Sequence, residues 1–300
     1  MACMGRGESR DIAIKRILRE VNKRFPEAGL PKPSLSLDRL RIRFYAETAM
    51  SRLGIREYST VRFPVNGSSF NVNVRSGAFW NAIEERRFEP DCLEHLTKVM
   101  RVGSRVLDIG AGFGAYSLLF SRMTGSRGEV HAFEPDPVSR EILGDNVRRN
   151  RVSNVHVQGL CVSSTLGTTI LRSRKWGSGR STIMEHADPQ ARLERKVETT
   201  TVDRFCEDNN LRPDGMKIDV EGAEGLVLAG AVRTIEKCSP WILLEFHGGL
   251  APEELKANWL LATNSAKKVI YLDGSSKVHS YGDELDSTPD SHAFHVFIEH

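Results

Sequence analysis

Between Val106 and Gly114 the chain reads Val-Leu-Asp-Ile-Gly-Ala-Gly-Phe-Gly, and few folds accept that order. A short apolar strand ends in an acid and opens into glycines. Glycine has no Cβ, so the turn lets backbone approach a ligand closely. The helical pattern from Ala115 to Met123 puts that ligand at a helix N-terminus. The next apolar run, Glu129 to Phe133, ends in Glu134, twenty residues after Gly114. A ribose-binding carboxylate stands there in nucleotide-binding βαβ units.

The glycines are spaced G-x-G-x-G, not the dinucleotide G-x-G-x-x-G. Asp108 stands two residues before the first of them. A carboxylate there repels phosphate and suits an ammonium or sulfonium charge. The expected cofactor is therefore S-adenosylmethionine, with a purely structural glycine turn as the bland alternative.

Three hundred residues, 40% hydrophobic and 27% charged, describe an ordinary globular protein. No apolar stretch is long enough to span a membrane. The polar, glycine-rich start, Met1 to Arg10, does not read as a secretory leader. Cys3, Cys92, Cys161, Cys206 and Cys238 are scattered and form no C-x-x-C pair. They suggest neither a disulfide framework nor a zinc site, and a cytoplasmic location is expected. The net charge of +3 is uneven. Residues 1–60 hold 13 Lys and Arg against 7 Asp and Glu, leaving the remainder net negative. A basic extension of this kind either touches an anionic surface weakly or is a solvated helix face.

Residues 1–79 read as a basic helical and hairpin extension, and residues 80–300 as the main domain. Ile14, Ile17, Leu18, Val21 and Phe25 recur at helical spacing after a Ser9 cap. That stripe needs cover from the main domain or from a second copy. A second basic helix is read over Leu37 to Leu53. Thr60–Phe63 and Phe70–Val74 alternate around Asn66-Gly67 as a hairpin. Pro90 begins a helix with Leu93, Leu96, Val99 and Met100 on one stripe.

Strands then follow at Arg105–Ile109, Glu129–Phe133, Val155–Gln158, Met216–Val220, Trp241–Glu245, Val269–Leu272 and Phe294–Glu299. Helices are read at Ala115–Met123, Pro137–Asn150, Val202–Asn209, Glu224–Val232 and Pro252–Thr263. This alternation predicts an α/β, doubly wound, mostly parallel sheet of seven strands with the terminal strand reversed. The segment from Arg172 to Lys196 breaks the rhythm. It reads as a flap with Trp176 as a stacking group, or as a surface loop without a role.

A second dense signal is Lys217-Ile218-Asp219-Val220-Glu221-Gly222-Ala223-Glu224. Three acids at the end of a buried strand call for a task, since ligands of open α/β sheets bind at the carboxyl ends of strands. Glu245-Phe246-His247 ends the next strand. If the two strands are neighbours, Asp219, Glu221, Glu245 and His247 reach one cleft. An alcohol attacking a methyl group needs its proton removed, and His247 or Asp219 is the first choice of base. Lys217 would hold a carboxylate or stabilise the developing alkoxide. Glu224 reads as an acid at the start of its helix. A divalent cation held by the carboxylates and His247 is an alternative route to the same end and is not expected. A salt-bridge network at the strand ends is the other.

These residues together resemble the FkbM family of S-adenosylmethionine-dependent methyltransferases. Phe88-Glu89-Pro90, Val106–Gly114, Tyr116-Ser117, Phe133-Glu134-Pro135, Lys217–Glu224 and Leu244–His247 carry the resemblance in the family's order, over about residues 80 to 250. It implies the class I methyltransferase fold and a hydroxyl acceptor, on a glycan or a small natural product. It implies that Asp108, Gly110, Ala111, Gly112 and Gly114 form the cofactor loop, with Asp219 beside it. Tyr116 and Ser117 would face the methionine moiety, Glu134 the ribose, and Leu160 and Cys161 the adenine. Glu89 would enter from a helix start. The chain has Gly112 where the family often has Asn, and Phe88 where it often has Tyr. The expected activity is O-methylation. Its rivals are a nucleic-acid methyltransferase using the basic N-terminal region, and a non-catalytic scaffold that binds the cofactor. A homo-oligomer is compatible with the amphipathic first helix.

Overall fold

The computed structural model describes residues 58–62, 69–73, 89–185, 187–247, 266, 268–272 and 294–300. The helices read over 10–25, 37–53 and 252–263 lie outside the described residues. The chain divides into two compact units, Met1–Phe88 and Glu89–His300. In the first, strands β1 (Tyr58–Arg62) and β2 (Ser69–Asn73) pair antiparallel, as the alternation predicts. Phe70 and Val72 are buried while Ser69 and Asn71 are exposed, the period of two of a half-covered strand.

The second unit is built on a seven-stranded sheet. Its strands are β3 (Arg105–Ile109), β4 (Glu129–Phe133), β5 (Val155–Gln158), β10 (Gly215–Ile218), β11 (Trp241–Phe246), β12 (Lys268–Leu272) and β13 (Phe294–Glu299). Across the sheet they run β12, β13, β11, β10, β3, β4, β5. Neighbours from β11 to β5 are parallel, and β13 runs antiparallel to both β11 and β12. The reversed strand is therefore inserted beside the edge strand, one place in. Val106, Leu107, Ile109, Met216, Ile218, Ile242, Leu243 and Leu244 are all essentially inaccessible. Such runs are apolar on both faces because helices cover both faces.

Helix α1 (Pro90–Val99) precedes β3, and α2 (Ala115–Thr124) follows it from a left-handed Gly114 cap. Helix α3 (Pro137–Arg149) starts from Asp136, whose carboxylate accepts from the backbone N–H groups of Val138 and Ser139. Helix α4 (Val202–Asp208) leads into β10. The single helix read over Glu224–Val232 is two, α5 (Glu224–Ala229) and α6 (Val232–Cys238). The break falls at Gly230, where a Cβ would strike the Ser163 carbonyl oxygen. Strand β10 is also shorter than read. It stops at Ile218, and the chain turns through left-handed Glu221 (φ 54°) and Gly222 (φ 102°).

The segment after β5 is the largest departure. The stretch read over Arg172–Lys196 lies in a four-stranded sheet of β6 (Cys161–Val162), β7 (Gly167–Ser173), β8 (Ser181–Thr182) and β9 (Leu193–Thr200), in the order β6, β9, β7, β8, with irregular connections between its strands. Cys161, Leu171 and Val197 form its core, and Trp176 and Ile183 pack against it. Trp176 is thus a packing residue, with Arg195 lying 5.8 Å over its ring.

Candidate active site

The glycine loop is tied to its surroundings by backbone. The N–H groups of Gly110 and Ala111 both donate to the Phe133 carbonyl, at 3.0 and 2.9 Å. The Gly112 N–H donates to Glu134 Oε2 at 2.8 Å, and the Asp136 N–H to Glu134 Oε1 at 2.8 Å. Gly110 (φ 79°) lies against the end of β10, and a Cβ on it would fall inside the Asp219 carbonyl. Gly112 (φ 54°) has the opposite environment, with no atom within 4 Å of where its Cβ would be. One glycine lets two strand ends touch, and the other leaves a backbone face open to a ligand.

Asp108 is wholly buried beneath this loop. Its Oδ2 accepts from Ser117 Oγ at 2.5 Å, and its Oδ1 has no hydrogen-bond partner. Burial raises its pKa, against the pull of Lys217 and Ser117. Ser117 is likewise fully buried, with its hydroxyl committed to Asp108. Glu134, expected at the ribose, braces the loop and the start of α3 with its two oxygens. Burial pushes its carboxyl up to about 8. Leu160 packs against the main core, whereas Cys161 belongs to the small sheet. Burial and the nearby Glu134 push the Cys161 thiol up to about 12.

The ends of β10 and β11 bring the charged residues together, as adjacency of those strands requires. Lys217 stands opposite Asp108 on β3 and Leu243 on β11. Its Nζ reaches Asp219 Oδ2 at 2.8 Å and lies 4.9 Å from the Tyr116 ring. Burial works against its charge, but Asp219 and Asp108 outweigh it and raise the pKa. His247 Nε2 faces Asp219 Oδ1 at 3.6 Å, Glu221 Oε2 at 3.4 Å and Glu245 Oε1 at 3.6 Å. Its Nδ1 meets Glu224 Oε1 at 2.9 Å, and the same oxygen accepts the Gly222 N–H at 3.0 Å. Glu224 is completely buried. It stands at its helix start, as its position in the chain implies, and there it also orients His247, which no local sequence signal marks. Burial lowers the His247 pKa, yet Glu224, Glu221 and Asp219 overcome this and hold it at about 9. Burial lifts the Glu221 carboxyl to about 7.

A second missed residue is His295 on β13, directly opposite Glu245 in the strand register. Its Nε2 lies 3.3 Å from both Glu89 Oε2 and Glu245 Oε2. Burial is outweighed by Cys92, Glu245 and Glu89, which push its pKa up to about 12. Glu245, in turn, is held below the usual carboxylate range by His295 and Lys217 in spite of its burial. Glu89, the left-handed residue before α1, also accepts from the Tyr116 hydroxyl. Only the strand pairing reveals His295, since no acid or glycine signature surrounds it in the sequence.

The small sheet reaches this cleft from one side. The Gly177 N–H and the Ser181 hydroxyl donate to Asp136 Oδ2 at 2.8 and 3.2 Å. Around Gly179 the chain lies beside the Phe113 ring of the glycine loop, and Gly222 abuts Ala187.

Two sequence profiles match the chain. That of the protein-L-isoaspartate (D-aspartate) O-methyltransferases covers residues 48–160. That of the methyltransferase FkbM domain covers residues 108–281, more than half of the chain. The chain belongs to the FkbM methyltransferase family. Its domain is thus an S-adenosylmethionine-dependent methyltransferase domain of the class I fold. The 31-O-demethyl-FK506 methyltransferase FkbM of Streptomyces tacrolimicus is 28% identical, over 57% of this chain and 75% of its own. The ribosomal protein L11 methyltransferase of Bacillus velezensis is 35% identical over 63 residues. That match spans 21% of this chain and 20% of the relative, a fifth of its length. The crystal structure of the methyltransferase FkbM of Methylobacillus flagellatus covers 73% of this chain. It does so at 17% identity and a TM-score of 0.43, and the match spans 53% of that chain.

The residues present fit the cofactor of this FkbM domain. The open backbone face at Gly112 admits a ligand without a side-chain barrier. The unpaired Oδ1 of buried Asp108 leaves negative potential under the loop, which suits a cation and opposes a phosphate. Among the described residues no helix is long and apolar enough to cross a membrane.

Proposed function

We propose that this chain is an O-methyltransferase acting on a hydroxyl of a glycan or small natural product. The observation that carries the reading is the contact between Gly110 and the Asp219 carbonyl. It sets the open glycine loop directly beside the cluster of Asp219, Glu221, Glu245 and His247. Bound S-adenosylmethionine supplies a methyl group on a positive sulfonium. Asp108, Gly110, Ala111, Gly112 and Gly114 would hold it, with Tyr116 and Glu89 at its amino-acid end and Glu134 behind the loop. Leu160 and Cys161 follow β5 on the side where the adenine is expected.

An acceptor oxygen at the cluster uses its electron pair to form the new O–C bond. The electron pair of the C–S bond would remain on the donor's sulfur, leaving a neutral thioether. The hydroxyl proton must go to the protein. His247, the first expectation, is held protonated at neutral pH by its carboxylate neighbours, so it does not take that proton unaided. Asp219 has one oxygen on Lys217. Glu221, whose Oε2 lies 3.4 Å from His247 Nε2, has a pKa of about 7 and suits the task. The positive Lys217 would steady the developing negative oxygen, and alignment of donor and acceptor supplies much of the rate.

The test is transfer of labelled methyl from S-adenosylmethionine to panels of glycans, alcohol-bearing natural products, RNA and ribosomal protein. Label on a hydroxyl of the first two classes is expected. Label on RNA or protein alone would replace this acceptor assignment. Binding of S-adenosylhomocysteine without transfer to any panel would favour a scaffold.

A further inference from the structure

We propose that Arg180 selects acceptors that carry an acidic group, carboxylate or phosphate, beside the reacting hydroxyl. The inference rests on the reading of this cleft as the acceptor site and names the substrate class that the site takes. Arg180 stands in the stretch of the small sheet that bridges the two sides of the cleft. Just before it, Gly179 lies against the Phe113 ring of the glycine loop. Just after it, Met184 and Ala187 lie against Gly222, the residue that follows Glu221. The backbone between is pinned. The Gly177 N–H and the Ser181 hydroxyl donate to Asp136 Oδ2. The Arg180 carbonyl accepts from the Ser173 hydroxyl at 3.3 Å, and the Arg180 N–H donates to Ser178 Oγ at 3.3 Å.

The Arg180 side chain, by contrast, is uncommitted. The other arginines of the small sheet are taken: Arg172 by Glu194, Arg174 by both oxygens of Asp188, Arg192 by two carbonyls and Arg195 by the face of Trp176. Among the described residues no hydrogen bond or ion pair holds the exposed Arg180 guanidinium. Its charge nonetheless reaches the cluster: burial raises the Glu221 carboxyl, while His247 and Arg180 pull it back. A guanidinium on a fixed stem, free at its head and within electrostatic reach of the proposed base, is a receptor for an anion. Its planar fork of donors matches a carboxylate or a phosphate with two parallel hydrogen bonds. The carboxylates of Asp219, Glu221 and Glu245 repel such a group, so its admission at the small-sheet edge of the cluster depends on Arg180.

The experiment is calorimetric titration of the full chain, saturated with S-adenosylhomocysteine, with matched pairs of compounds. One pair is p-nitrophenyl glucuronide against the glucoside, and the other is glycerol phosphate against glycerol. Binding of the acidic member tighter by about tenfold or more is expected in at least one pair, and the pair tells which acid the site takes. Arg180→Ala should bring that ratio to within about twofold, and Arg180→Lys, which keeps the charge without the fork, should retain part of it. Arg180→Glu should favour the neutral member. Each ratio is read within one preparation, so incomplete folding of a variant cancels. Equal binding in both pairs, no binding of any member, or a preference that survives Arg180→Ala would overturn the inference. So would an equal loss of S-adenosylhomocysteine affinity in Arg180→Ala, which would place the anion on the donor. Labelled methyl transfer to the same compounds is measured in parallel. Label on a neutral hydroxyl without any acid preference removes selection by Arg180 and leaves the O-methyltransferase reading intact. An acid preference lost in Arg180→Ala, with no label on any hydroxyl, supports anion recognition by Arg180 and removes that reading.

Discussion

The two sides of the cleft, the glycine loop proposed for the donor and the strand ends proposed for the acceptor, are made of different material. Around the glycine loop the working surface is backbone: N–H groups, three glycines at positive φ, and carbonyls that hold them. At the ends of β10 and β11 it is ionisable side chain, with four carboxylates around one imidazole. Backbone surfaces tolerate few substitutions because any Cβ obstructs them. Side-chain surfaces tolerate many in shape but few in charge. Donor binding and chemistry should therefore fail separately when each side is altered.

The strongest challenge to that division is Gly110→Ala. Its new methyl meets the Asp219 carbonyl, so a loss of about 2–4 kcal/mol in urea unfolding is expected. Calorimetry should show no residual affinity for S-adenosylhomocysteine. Near-normal stability and binding would mean that the two strand ends are not locked together. Glu221→Gln, on the other side, should lower kcat by about 10²–10⁴ on whichever hydroxyl labelling identifies. Its affinity for S-adenosylhomocysteine should remain within about twofold. A parallel loss of both would erase the distinction.

A subtler effect concerns Glu134. Its pKa is raised from 4.5 to about 8 by burial, so the folded state holds the proton more tightly than the unfolded chain does. That contribution is complete below pH 4.5 and is lost as pH rises through about 8. Glu134→Gln removes it, so the variant's Tm should fall less than wild type between pH 5 and 8. Equal slopes would show that the carboxylate is better solvated than its burial implies. Smallest of all is Arg172→Ala, which breaks a half-exposed pair with Glu194 at 3.1 Å across β7 and β9. Less than about 1 kcal/mol should be lost in urea unfolding.

The same contrast explains what could be read in the chain. The seven-stranded sheet is visible because strands covered on both faces are continuous apolar runs, as in Trp-Ile-Leu-Leu before Glu245. Strand β9, Leu-Glu-Arg-Lys-Val-Glu-Thr-Thr, carries charge at most of its exposed positions and only Val197 in the small core. No apolar period survives, and its partner β7 supplies what its own sequence lacks. The acids of the Lys217–Glu224 run are legible as a cluster. The link from Glu224 to His247 spans 23 residues and exists only because β10 lies beside β11. His295 is a sharper case, since it meets Glu245 through register alone. The break at Gly230 is hidden for a related reason: the atom that demands glycine belongs to Ser163, far away in the chain.

The small sheet leaves and rejoins the main fold at neighbouring points, for Cys161 pairs with Thr199 and Val162 with Thr200 in parallel. An excursion whose two feet stand side by side can lengthen, shorten or be exchanged at a closure entropy that grows only slowly with length. Residues 163–198 therefore form a natural cassette for engineering. An exchange that keeps Gly177, Gly179 and Ser181, which touch Asp136 and Phe113, would leave the supports of the glycine loop in place.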